Sequence, residues 1–205
     1  MARVIAYIDG FNLYHGLRAK YRHRYLWLNL EHLIQRLRPN DEIVLIRYFT
    51  ALVLDDDPAI LRQQNYLNAL KAHSGAKIDI VLGRYTRSDF VCQNCGHQRI
   101  KYEEKETDVN IAVSIVADTA AQTSDIALVV SADSDLCPAI RMARSLGTRR
   151  GMIAVFPPAR SSFEVRSLIR GAFTLPAEHI RNSLLPDDVV DPVSGRSYRR
   201  PVKWR

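Results

Sequence analysis

Four aspartates stand where short apolar runs give way to helical segments. Asp9 ends the segment Tyr7-Ile8-Asp9 and is followed by Gly10-Phe11-Asn12. Asp133 and Asp135 sit in Val130-Ser131-Ala132-Asp133-Ser134-Asp135, again just after an apolar run. Asp108 opens a helical segment at Val109, with Glu106 two residues earlier. Singly, each has a structural explanation, because acids cap helices and suit the positive end of the helix dipole. The set is harder to explain that way, since Ser134 could cap alone and yet has an aspartate on either side. Carboxylates gathered at one edge of a sheet repel one another and hold their protons more tightly unless a cation neutralises them. All-oxygen ligands without histidine suit Mg²⁺ or Mn²⁺ rather than zinc. Such ions activate water and stabilise charge on a transferring phosphoryl group, so the chemistry of this set is phosphodiester hydrolysis.

Positioning these acids requires a parallel sheet, and the hydropathy pattern supplies one. Strand-like runs occur at Val4–Ile8, Ile43–Phe49, Ile78–Leu82, Ile126–Val130 and Met152–Phe156, with a short sixth at Ala172–Leu175. Runs apolar on both faces suit strands buried between helical layers. Helical segments alternate with them: Leu13–Ala19, Leu30–Leu37, Pro58–His73, Val109–Thr119, Leu136–Leu146 and Phe163–Ile169. In the Val109–Thr119 segment, the spacing of Val109, Ala112, Val113 and Val116 predicts the buried face. The alternation predicts an α/β fold, a parallel sheet of five to six strands with helices on both faces. Ligands of such sheets bind beyond the carboxyl ends of the strands, where these acids stand. Residues 84–106 break the pattern and read as a Cys-containing insertion or hairpin. From Pro176 the chain turns irregular, so the domain is placed at 1–176 and an irregular basic tail at 177–205.

At 205 residues the chain is long enough to bury a core without disulfides. Its net charge of +7, from 29 Lys and Arg against 22 Asp and Glu, favours a polyanionic partner. The N-terminal apolar run is too short for a signal peptide or membrane span, which predicts a cytoplasmic protein with no membrane partner. Cys92-Gln93-Asn94-Cys95-Gly96-His97 is half of a zinc knuckle, with His97 a third candidate ligand for a structural Zn²⁺, or else simply two thiols. Between residues 14 and 27, Tyr14, His15, Tyr21, His23, Tyr25 and Trp27 are interleaved with arginines and lysines. They suit an amphipathic helix with a solvated basic face, ahead of the alternative of base stacking.

Three segments together resemble the NYN domain family, in its LabA-like branch, within the PIN-like nuclease superfamily. They are Tyr-Ile-Asp-Gly-Phe-Asn-Leu-Tyr (7–14), Glu-Lys-Glu-Thr-Asp-Val-Asn-Ile-Ala (104–112) and Ser-Ala-Asp-Ser-Asp-Leu-Cys-Pro (131–138). The resemblance covers residues 3 to 175 and implies a PIN-like sheet carrying a metal-dependent nuclease centre that acts on RNA, with DNA not excluded. It implies that Asp9, Asp108 and Asp133 bind Mg²⁺ or Mn²⁺, with Asp135 as a fourth catalytic acid. Asn12 is read as holding the substrate or the acidic cluster, and Ser131 and Ser134 as substrate contacts. The family commonly has Lys-Gly in the middle motif where this chain has Glu106-Thr107, which leaves Glu106 as an extra ligand or a solvated acid. A homodimer would lengthen the binding surface.

Other phosphotransfer folds fit less well. A haloacid-type phosphatase wants a second Asp where Phe11 stands, a TOPRIM-like site wants Glu where Asp9 stands, and a receiver domain wants an acidic pair there. The remaining alternative is a catalytically silent RNA-binding or regulatory module on the same fold. Intact acids oppose it, because concentrated negative charge facing phosphates only weakens binding.

Overall fold

The computed structural model describes residues 1–91, 95–147 and 151–205. Its centre is a six-stranded sheet in the order β3-β2-β1-β6-β7-β8, with every neighbouring pair parallel. The strands are β1 (Arg3–Asp9), β2 (Glu42–Thr50), β3 (Ile78–Leu82), β6 (Ile126–Val130), β7 (Gly151–Phe156) and β8 (Phe173–Thr174). In β1, Val4, Ala6 and Ile8 pack into one core while Ile5 and Tyr7 pack into the other. That period-two division explains why the run is apolar throughout, with a helical layer on each side.

Helices α1 (Gly10–Tyr21), α2 (Leu30–Leu37) and α3 (Asp57–Ser74) contribute to the first core. Helices α4 (Thr107–Ala120), α5 (Cys137–Leu146) and α6 (Phe163–Leu168) contribute to the second. Chain order reverses at β1: β2 and β3 lie on one side of it, β6 and β7 on the other. Such a switch point opens a crevice at the carboxyl edge, between β1 and β6.

The buried face of α4 differs from the sequence expectation. Val109 and Val113 are 62% and 61% exposed, and Ile111 and Ile115 are fully buried. The helix carries two apolar stripes, one of Val109, Ala112, Val113 and Val116 and one of Ile111 and Ile115, and both fit a 3.6-residue period. Tertiary packing selects the stripe that runs through Asp108, Ile111, Ile115 and Asp118. Asp118 closes that stripe by accepting Tyr7 Oη at 3.0 Å and both Arg47 Nε and Nη2, at 3.1 and 3.2 Å. Arg47 therefore serves as a structural tie, with a further bond to Asp79 at 3.0 Å.

The insertion is an antiparallel hairpin of β4 (Arg84–Val91) and β5 (Gln98–Lys105). Cys95 and His97 are exposed near its tip; Cys92, the other half of the knuckle, lies outside the described residues. The C-terminal segment is ordered, which corrects the irregular tail read from its prolines. It forms α7 (Ala177–Arg181) and an antiparallel pair, β9 (Asp188–Val190) with β10 (Ser197–Arg199), followed by a 3₁₀ turn at Val202–Trp204. Pro176 and Pro201 stand at the N-caps of α7 and of the last turn, and sparse apolar residues, Ile180, Leu185, Val189 and Trp204, join the first core. Trp204 packs against Trp27 and Tyr66 with ring centroids 6.3 and 5.9 Å apart. Trp27 itself is fully buried and donates to Pro186 O at 2.8 Å, so it belongs to the core rather than to a base-stacking face.

Candidate metal centre

Asp9 is the last residue of β1 and the N-cap of α1, and it is only 3% exposed. Both of its carboxylate oxygens are held. Oδ1 accepts the Asn12 N–H at 2.9 Å, and Oδ2 accepts the Ser131 hydroxyl at 2.8 Å. Ser131 Oγ also accepts the Asp133 N–H at 3.0 Å, so one hydroxyl orders two of the acids. Asp133 in turn caps the short 3₁₀ turn Ser134–Leu136 by accepting the Asp135 N–H at 2.9 Å. Asn12 Oδ1 accepts the Ala132 N–H at 3.2 Å, tying the start of α1 to the loop after β6.

Gly10 is required by close approach. A Cβ there would meet Phe49 O at 2.5 Å and the Tyr48 ring at 2.9 Å, whereas its φ lies outside the left-handed region. Helix α1 begins at once after Asp9, braced against β2.

Asp108 enters from the other layer, in the first turn of α4. Glu104 fixes that helix start, which the sequence reading missed. Its Oε1 accepts the Thr107 N–H at 3.0 Å and also the Thr107 hydroxyl. The only sequence sign was an acid three residues before Thr107, hidden in a charged strand. Glu106 takes a left-handed backbone conformation and pairs with Arg84, which points it away from a ligand role.

These elements bring one ligand oxygen each of Asp9, Asp108 and Asp133 within 4.8 Å of one another. Among the described residues no lysine, arginine or histidine forms an ion pair with any of the three. Burial raises the Asp9 carboxyl above its ordinary range, and the nearby Asp133 adds to this against the opposing hydrogen bonds from Asn12 and Ser131. Asp108 is pushed up to about 6, first by burial and then by the charges of Asp133, Asp9, Glu104 and Asp135. An all-oxygen set of crowded carboxylates, two of them holding protons more tightly than usual, fits a hard divalent cation.

Of the other sequence candidates, Asp135 and Ser134 are exposed beside the centre and outside the group of three. Ser131, read from sequence as a substrate contact, is 2% exposed with its hydroxyl engaged inside the cluster. It positions acids. At the rim, Phe11 meets Tyr85 of β4 edge-on, with centroids 6.5 Å apart, so the hairpin leans on the same edge of the sheet.

A model of the NYN domain matches residues 3–173. Among curated proteins the chain is 28% identical over 177 residues to 6-hydroxy-3-succinoylpyridine 3-monooxygenase HspA of Pseudomonas putida (strain DSM 28022 / S16). That match takes in 70% of this chain and 56% of the relative, so the chain spans little more than half of that protein's length. Among solved structures, it is similar to a protein of unknown function, VPA0982, from Vibrio parahaemolyticus RIMD 2210633. The TM-score is 0.59 at 14% identity, covering 90% of this chain and 96% of the other, a likeness of fold.

Proposed function

The chain belongs to the NYN domain family of the PIN-like nucleases, and from that premise we propose that it is a Mg²⁺- or Mn²⁺-dependent ribonuclease, an endonuclease, that hydrolyses phosphodiester bonds. The observation that carries this reading is the convergence of Asp9, Asp108 and Asp133 from three distant segments onto one point. These three would hold the cation. Bound there, a divalent ion supplies an activated water and neutralises charge developing on the phosphodiester.

The chain's own residues divide the remaining work. Asn12 and Ser131 hold Asp9 at a fixed angle, and Ser131 couples it to Asp133. Asp108 is half-buried, and its oxygens accept no hydrogen bond from a described residue, so it is the acid freest to adjust to the cation. Asp135, exposed at the rim, is assigned to the outer face of the centre, where an acid can orient water rather than bind the ion. The chain's net positive charge supports a polyanionic substrate. No helix of the described residues is long and apolar enough to cross a membrane.

The direct test incubates purified protein with labelled RNA and DNA panels in Mn²⁺, Mg²⁺ or chelator. The proposal expects internal cuts in RNA only where metal is present. RNA retained but uncut in every lane would favour a silent binding module, and equal cutting of DNA would remove the restriction to RNA.

A second reading comes from the Pseudomonas putida relative, whose name describes monooxygenation of 6-hydroxy-3-succinoylpyridine. An aromatic-lined cavity beside Gly10 gives it a physical foothold. Conversion of that pyridine by the purified protein, with no cleavage of any nucleic acid, would favour this reading over the first.

A further inference from the structure

A cavity of about 320 Å³ opens between α1, α3 and the C-terminal turn, at the same carboxyl edge of the sheet as the three acids. Gly10 and Phe11, the two residues after Asp9, line it, as do Tyr48 and Thr50 at the end of β2. Gly10 directly follows Asp9 and lies so close to Tyr48 that a Cβ there would meet its ring at 2.9 Å, so the cavity wall and the acids are neighbours. Its aromatic lining is Phe11 and Tyr14 of α1, Tyr48 of β2, Tyr66 of α3, Tyr85 of β4 and Trp204 of the last turn.

Its charge is mainly positive. Arg18, Arg62 and Lys203 line it and form no ion pair among the described residues. Against these three cations the lining holds one acid, Asp56, which caps α3 by accepting the Ala59 N–H at 2.9 Å. His23, on the same wall, is held below its usual range by burial and then by Lys203, Arg18 and Arg62, so those cations face one region.

We propose that this cavity binds a planar aromatic ring tethered to an anionic group, and specifically one nucleotide of a single-stranded RNA whose neighbouring phosphodiester lies at the acids. The ring enters the aromatic cage, and its phosphate meets Arg18, Arg62 and Lys203. Base stacking on aromatics tolerates any base, while the cations grip the strand. The volume is near the lower end for small-ligand pockets, which suits one ring and its tether rather than a stack of bases. The assignment to RNA rests on the ribonuclease reading; the preference for ring plus anion does not. A small aromatic carboxylate offers the same chemistry, so the test separates the two sources.

The full chain in chelator is titrated calorimetrically with 5′-AMP, adenosine, ribose 5-phosphate and 3-succinoylpyridine, an aromatic keto acid. Trp204 in the wall gives a fluorescence readout alongside. We expect 5′-AMP to bind at least tenfold more tightly than adenosine or ribose 5-phosphate, and short single-stranded RNA to compete with it. Arg62→Ala and Lys203→Ala should each weaken 5′-AMP at least fivefold at unchanged Tm. Binding of the aromatic acid without 5′-AMP would overturn the assignment to RNA. No binding of either, or affinities unmoved by both substitutions, would overturn the cavity as a ligand site. Because no metal is present, loss of cleavage elsewhere bears on the nuclease reading and leaves this result standing.

Discussion

Ser131 donates its hydroxyl to Asp9 across 122 positions of sequence, at 2.8 Å, and through the same oxygen accepts the N–H of Asp133 at 3.0 Å. One buried side chain thus sets the spacing of two acids contributed by neighbouring strands. Ser131→Ala should leave Asp9 Oδ2 buried without its donor, costing about 1–2 kcal/mol of stability. Cleavage should fall about tenfold, with weaker metal affinity measured by calorimetry. Ser131→Thr, which keeps the hydroxyl, should recover most of both. If alanine moves stability alone and leaves metal affinity untouched, the serine is merely structural.

Asp108 sets stability and function against each other. Its carboxyl is pushed up to about 6 by burial and by its acidic neighbours. A raised carboxyl contributes stability that is fully present below its unfolded value near 4 and is lost as pH rises through about 6. In chelator, Asp108→Asn should therefore be the more stable protein at pH 7.5, by about 1 kcal/mol once solvent screening of a half-exposed group is allowed for. The difference should shrink toward zero as pH falls from 6 to 4. Saturating Mn²⁺ should reverse the order, because only the wild-type cluster gains fully from binding. Thermal melts across pH, with and without metal, check this; a mutant less stable than wild type at pH 7.5 in chelator contradicts it.

Trp204 is 7% exposed and closes the first core against Trp27 and Tyr66. Trp204→Ala should cost about 3 kcal/mol, a fall of roughly 10 °C in Tm for a chain of this size. Arg196→Ala, in an exposed turn, should leave Tm unchanged. Equal melts for Trp204→Ala and wild type would mean that the tail does not pack on the core in solution.

The strands were legible because runs apolar on both faces have few other homes than a sheet covered by two helical layers. Ile78–Leu82 and Ile126–Val130 match the sequence reading at both ends. The aspartates were legible because each follows a strand or opens a helix, and the fold gathers such ends. What sequence could not fix was set by tertiary contact. Periodicity does not choose between the Val109 and Ile111 stripes of α4; packing against Ile5 and Tyr7 of β1 does. The roles of Ser131 and Glu104 depend on partners brought from other segments or buried within a hairpin. The C-terminal elements are short and proline-rich, so their order comes from docking onto α3 and Trp27 and leaves little local pattern. The cavity beside Gly10 is lined from both ends of the chain, and no local motif records it.

The central claim is that three carboxylates act together through one cation, and Asp133→Asn tests it most directly. The substitution keeps shape and removes one ligand charge, so the fold should survive, with the far-ultraviolet circular dichroism of wild type. Single-turnover cleavage of labelled RNA in Mn²⁺ should fall at least 100-fold, and adding Asp9→Asn should cost little more, because groups acting as a unit are not additive. Wild-type cleavage by a folded, homogeneous Asp133→Asn preparation would contradict the account.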